Sequence, residues 1–325
     1  MKKHIGYFDF LRGIAIIMVV AIHTFPKSSW SESGDYIQIA IRQLLNCAVP
    51  IFLAISSFFL ARKTFDSFDN ILSFWKKQIP KVYLPCLIWS LPLFLLSIKN
   101  APNIITETVL FFCCGYSIYY FIALIIQYYL LLPILKKVNR TKGWILFLIS
   151  MGSISAYLYS GAELPLILYA GPFWVWIIFF YQGIYMGNSK RKYPIYTLII
   201  LLILTFILQL LESYYLYSNN HHAFGIKATA FIYSSIVLLI LFSKQAQDFY
   251  ESRKYMIFSI IEYIGKKSFG IYLIHCYIIR FAYGFIYSLN WGIKCLLTVV
   301  LSIVVIELIK LILPNKICSK YLGFL

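Results

Sequence analysis

Charge is scarce in this sequence, and acid is scarcer than base. Asp, Glu, Lys and Arg make up 13% of the 325 residues, with 12 acidic against 29 basic. An ordinary soluble domain is about one quarter charged, so a water-soluble globule is excluded; at 61% hydrophobic residues the chain belongs in a bilayer. The short alternating segments of an outer-membrane barrel are missing as well. No CxxC pair or Cys/His cluster ties together Cys47, Cys86, Cys113, Cys114, Cys276, Cys295 and Cys318, which leaves them as small buried side chains and leaves no metal predicted. Small-residue cleavage chemistry is absent after Phe25, so the first apolar run is read as retained. There is no loop long enough for a separate soluble domain, no repeat and no low-complexity tract, and a single membrane domain over 1–325 is expected.

The net charge of +17 does not point to nucleic acid, because the basic residues sit in short clusters between apolar runs and not on one face of a soluble domain. Apolar runs and their punctuation predict an all-α polytopic protein of about ten membrane helices, near 8–25, 37–61, 82–98, 117–135, 143–160, 172–188, 193–211, 227–243, 268–288 and 293–313. With the amino terminus inside, 21 basic residues fall in inside segments and four at the outer boundary, which predicts both termini in the cytoplasm. The cytoplasmic stretches 62–81 and 244–267 each have room for a short interfacial helix, and 107–117 is apolar but too short to span.

Against that oily background the first span, "YFDFLRGIAIIMVVAIH", carries Asp9, Arg12 and His23. Arg12 and His23 are 11 residues apart. At 100° per residue this leaves them about 20° from eclipse and about 16 Å apart along the axis, on one face. A charge in the hydrocarbon costs roughly 2.5–3.5 kcal/mol on insertion scales, so such residues normally face the bundle interior and mark function. Snorkelling of Arg12 and an interfacial His23 are the plain alternatives. Asp9, one turn before Arg12, is placed to pair with it and hold the guanidinium inward.

These residues resemble the first helix of the membrane-bound acyltransferase-3 family, whose signature is an arginine followed by a histidine across the first span. The likeness continues in "VPIFLAISSFF" (49–59), "YYFIALIIQYYLLLPIL" (119–135) and "IGKKSFGIYLIH" (264–275). The resemblance implies a multi-pass O-acyltransferase of the plasma (inner) membrane. Such an enzyme moves an acyl group, usually acetyl from cytoplasmic acetyl-CoA, onto a hydroxyl of an envelope or surface glycan or its lipid-linked precursor. A transporter or flippase for a glycan or lipid is the alternative that ten helices would equally permit. Partners would be the saccharide acceptor and membrane lipid, and a homo-oligomer is left open. The chain looks like a stand-alone member without an added esterase-like domain.

Acyl transfer to a hydroxyl needs a base, stabilisation of the carbonyl oxygen and exclusion of water. His23 is the candidate base, or a nucleophile that is acylated first. Arg12 is expected to bind the phosphate or pantetheine end of the donor, with Lys76, Lys77 and Lys81 in "FWKKQIPKVYLP" as further phosphate partners where the family often has arginines. Tyr116, Tyr119, Tyr120 and Glu163 are candidate sugar contacts, since aromatic faces stack on sugar rings and carboxylates accept from hydroxyls. Ser56 keeps the serine of the second-helix motif while Ser57 replaces its glycine, and Tyr120 and Ile118 stand where the family has tryptophan and histidine. His275 follows Tyr272 by three residues, which predicts a buried Tyr–His contact in a supporting role.

Overall fold

The computed structural model describes residues 2–99, 102–162, 164–188, 194–253, 255–282, 284 and 289–324. Among them there is no strand. The helices are α1 (Lys2–His23), α2 (Tyr36–Leu44), α3 (Ala48–Leu60), α4 (Phe68–Ile98), α5 (Ile104–Phe112), α6 (Tyr120–Leu135), α7 (Arg140–Tyr159), α8 (Leu166–Tyr169), α9 (Phe173–Asn188) and α10 (Ile195–Ser218). They continue with α11 (Ala228–Leu241), α12 (Lys244–Ser252), α13 (Met256–Lys266), α14 (Ser268–Phe281) and α15 (Trp291–Ile312). Each of the ten predicted windows holds a helix. Among the described residues five stretches are long and apolar enough to cross a bilayer unaided: Gly6–His23, Ser33–Leu60, Phe68–Ile98, Ile195–Ser218 and Trp291–Ile312. The pair α11 and α12, bent by 55°, would together make a sixth.

Helix starts follow local chemistry. Ser67, Asn103, Asn139, Ser243 and Asn290 each cap a helix with a side-chain oxygen, as Asn139 does by accepting from Lys142 N at 2.9 Å. The predicted interfacial helix of 62–81 does not stand alone. It runs on into the third window as α4, through Pro80, Pro85 and Pro92, each of which removes a backbone donor that membrane helices tolerate when neighbours compensate. The stretch 244–267 holds two short helices, α12 and α13.

The second window is not one helix. It breaks at a 3₁₀ turn, Leu45–Cys47, between α2 and α3. The carbonyls freed by the break find partners elsewhere: Gln209 Nε2 donates to Gln43 O at 3.0 Å, and the Tyr233 hydroxyl reaches Leu44 O at 3.4 Å. Pro50 falls in the first turn of α3, where its missing N–H has no intrahelical acceptor to lose.

The helix α1 is the centre of the bundle, touching α3, α13, α14 and α15. Two contacts fix its surroundings by bringing backbones together. A Cβ on Gly265 would lie 1.7 Å from Asp9 O and one on Gly13 would lie 2.0 Å from Ile261 O, so α13 rests directly on the Arg12 half of α1. On the far side of α3, Gly183 and Gly187 of α9 take the same role. A Cβ on Gly183 would lie 2.3 Å from Ala54 O and 1.9 Å from Ser57 Oγ. The close approach that a glycine at 57 would have supplied is thus supplied by its partner helix.

Candidate active site

Periodicity turns one stripe of α1 inward: Arg12, Val19, Ile22 and His23 all line one cavity of about 410 Å³. Arg12 and His23, about three turns apart, therefore open onto the same space. Its wall is mostly apolar and aromatic, including Phe52, Phe121 and Trp176, with a few polar groups between them.

Arg12 donates from Nη1 to Asp9 Oδ1 at 2.5 Å, and its guanidinium lies 5.4 Å from the centre of the Phe59 ring. The side chain is 31% exposed and Asp9 10%, so the pair sits at a mouth and not in a sealed interior. His23 is at the other end. Protein surrounds it, yet its surface is accessible because the ring faces the cavity.

His275 of α14, fully buried, stands beside His23 with ring centroids 5.2 Å apart. Its Nδ1 lies 2.8 Å from Tyr272 O and 3.1 Å from Ile271 O. Carbonyl oxygens only accept, so Nδ1 carries the proton and Nε2 the lone pair. Nε2 lies 3.6 Å from Cys276 Sγ. His23, His275 and Cys276 bring their ligand atoms within 4.8 Å of one another, donor types that suit zinc. The scattered cysteines gave no sign of such a cluster, because it forms only when α14 packs on α1.

Of the other expected site residues, Ser56, Tyr120 and Tyr272 line the cavity. Ser56 Oγ is bonded to Phe52 O at 2.8 Å and the Tyr272 hydroxyl to Ile118 O at 2.5 Å. The Tyr272 and His275 rings lie 6.2 Å apart, though their closest tie is the backbone carbonyl. Tyr119 does not offer a sugar platform. It is 1% exposed, and its hydroxyl is committed to Leu273 O at 2.9 Å. Tyr116 is also off the cavity wall: its hydroxyl donates to Glu107 Oε2 at 2.6 Å, and burial together with that carboxylate pushes its pKa up to about 12. Glu163 lies outside the described residues. Lys76, Lys77 and Lys81 are exposed along α4 and none reaches the cavity wall.

Among the wall residues that escaped sequence reasoning are Arg42, in the last turn of α2, and Asn46, in the 3₁₀ turn that follows it. Arg42 carried a readable signal, a charge inside a predicted span. The framework behind it did not, since Gln209 and Lys227, which bond to Asn46 and Gln43, lie more than 150 positions away.

Curated relatives include an amino-acid racemase of Enterococcus faecalis, 31% identical over 171 residues, which is 48% of this chain and 23% of that protein. A serine/alanine racemase of Enterococcus gallinarum is 33% identical over 161 residues, 45% of this chain and 22% of that protein. The chain thus matches under a quarter of the length of these relatives. No solved structure shows significant similarity. The family model described as an acyltransferase domain matches residues 5–308, which takes in α1 and its cavity together with the α14 segment that carries His275. The chain belongs to this acyltransferase-3 family.

Proposed function

We propose that the protein is an O-acyltransferase that moves an acyl group, acetyl in the first instance, from cytoplasmic acyl-CoA to a hydroxyl of an envelope or surface glycan or its lipid-linked precursor. The single observation that carries the reading is that Arg12 and His23 open onto one cavity from opposite ends. That arrangement suits a donor bound lengthwise, with its polar end at Arg12 and its thioester at His23. Lys76, Lys77 and Lys81, outside the cavity, would meet phosphates that remain in water. The surplus of basic residues in the predicted inside segments supports an inner-membrane protein with both termini in the cytoplasm.

In this reading His23 takes the proton of the acceptor hydroxyl as its oxygen attacks the thioester carbonyl carbon. The C–S bond then breaks, and the proton passes from the imidazole to the departing thiolate. His275 positions His23: with Nδ1–H held by backbone carbonyls, its Nε2 presents only a lone pair to the neighbouring ring. That lone pair favours the His23 tautomer whose N–H turns toward α14, leaving the other nitrogen basic in the cavity. The apolar wall excludes the water that would otherwise hydrolyse the thioester.

The direct test uses protein purified in lipid nanodiscs with acetyl-labelled acetyl-CoA and isolated envelope glycans. Label should appear as ester on the glycan and vanish with His23→Ala. Vesicle uptake of a glycan precursor with no CoA release would replace this reading with transport.

A further inference from the structure

Arg42 is 8% exposed and lines the cavity, yet among the described residues no carboxylate pairs with it. Among the described residues its one hydrogen bond runs from Nη1 to Asn46 Oδ1 at 2.7 Å. The amide of Asn46 is spoken for on its other side, donating from Nδ2 to Gln43 Oε1 at 3.0 Å and to Gln209 Oε1 at 3.1 Å. Gln43 Oε1 also accepts from Lys227 Nζ at 2.5 Å, and Lys227, 0% exposed, gives a second bond to Ala223 O at 3.1 Å. The nearby Glu212 carboxylate is engaged by Thr229 N at 2.8 Å and by the Thr229 and Tyr159 hydroxyls, and bears on Lys227 only through space.

The result is a polar framework whose acceptors are all used, holding a guanidinium with most of its N–H groups unspent at a cavity wall. Two buried cations in contact with neutral partners only are costly unless an anion joins them. The place is the His23 end, since the guanidinium lies 6.0 Å from the ring centre of Phe25, two residues beyond His23. At the opposite end Arg12 already has Asp9. The unneutralised charge is therefore at the transfer end of the cavity, away from the end assigned to the donor phosphates.

We propose that Arg42 is an anion anchor for the acyl acceptor, taking a carboxylate or phosphate carried near the hydroxyl to be acylated, in the two-pronged geometry a guanidinium fork allows. The acceptor is then an acidic saccharide or a phosphorylated one, not a neutral sugar. The inference rests on the reading of the His23 end as the site of transfer.

Binding of methyl β-D-glucuronide and methyl β-D-glucoside, which differ only by the carboxylate, tests this on the full chain in phosphatidylcholine nanodiscs by calorimetry, without turnover. The glucuronide should bind at least tenfold more tightly to the wild type and to His23→Ala. Arg42→Gln should lose that preference while binding acetyl-CoA within about twofold of wild type. Arg42→Lys, which keeps the charge that the framework was built around, serves if the glutamine variant does not fold, and should retain only part of the preference. No preference in the wild type, or one that survives in both variants, overturns the proposal. So does a tenfold loss of acetyl-CoA affinity in Arg42→Gln, which would give the anion to the donor. A glucuronide preference with no acyl transfer to any acceptor would instead sink the acyltransfer reading and leave the anion site standing.

Discussion

His275 faces His23 across the packing of two helices, with ring centroids 5.2 Å apart, while its own Nδ1 is tied back to Tyr272 O at 2.8 Å. One imidazole is thus fixed by backbone and the other faces the cavity. His23→Ala should lower acyl transfer by about 10²–10⁴-fold, the range of a lost general base. His275→Ala should lower kcat while leaving the KM for acetyl-CoA nearly unchanged, and it should move the pH profile of kcat, a change that a purely structural defect would not produce. Steady-state kinetics across pH check both.

Asp9 aims Arg12, but the pair is partly open to water and so contributes modestly, about 0–1 kcal/mol. Asp9→Asn should raise the KM for acetyl-CoA less than about fivefold. Arg12→Ala, which removes the cation itself, should raise it well beyond that. Equal effects from the two would place Asp9 in direct contact with the donor instead.

The trio His23, His275 and Cys276 makes metal removal informative. With His23 acting as a base, dialysis against EDTA should leave transfer intact, Cys276→Ser should keep most of the activity, and added zinc should inhibit by occupying the trio. Activity lost to chelation and restored by zinc would make His23 a ligand and move the base elsewhere.

Glu262 and Lys266, paired at 2.9 Å on α13, give a pH signature outside the membrane spans. The Lys266 hydrogen bond, with one from the Tyr250 hydroxyl, holds the Glu262 carboxyl below its ordinary value. A carboxylate with a depressed folded-state pKa stabilises the fold above its unfolded value, and that contribution is lost as pH falls through the folded value. Wild type and Glu262→Gln should therefore differ in thermal midpoint at pH 7 and converge toward pH 3. A constant difference over that range would assign the effect to packing.

The inward stripe of α1 was legible because helical periodicity is a local property, and two rare polar residues on an apolar run mark their face without help from the rest of the chain. The break at Leu45–Cys47 was not, since the hydrophobic pattern runs straight through it and the groups that stabilise it, Gln209 and Tyr233, come from distant helices. The same distance hid Gln209 and Lys227, which complete the polar framework behind Arg42, and the approach of His275 to His23. The tyrosines near 116–120 misled for a different reason: composition shows an aromatic but not which way it faces, and Tyr119 turns into the core while Tyr120 lines the cavity.

The seam where Gly265 meets Asp9 O has a mechanical meaning. Helices that interlock through long side chains can slide by repacking them, whereas two backbones in direct contact have nothing between them to rearrange. The Arg12 half of α1 is therefore latched to α13, a short helix flanking the spans, so the height of the cavity mouth is set by protein against protein. A thicker or thinner bilayer can tilt the outer helices of such a bundle without changing the level at which Arg12 opens onto the cavity.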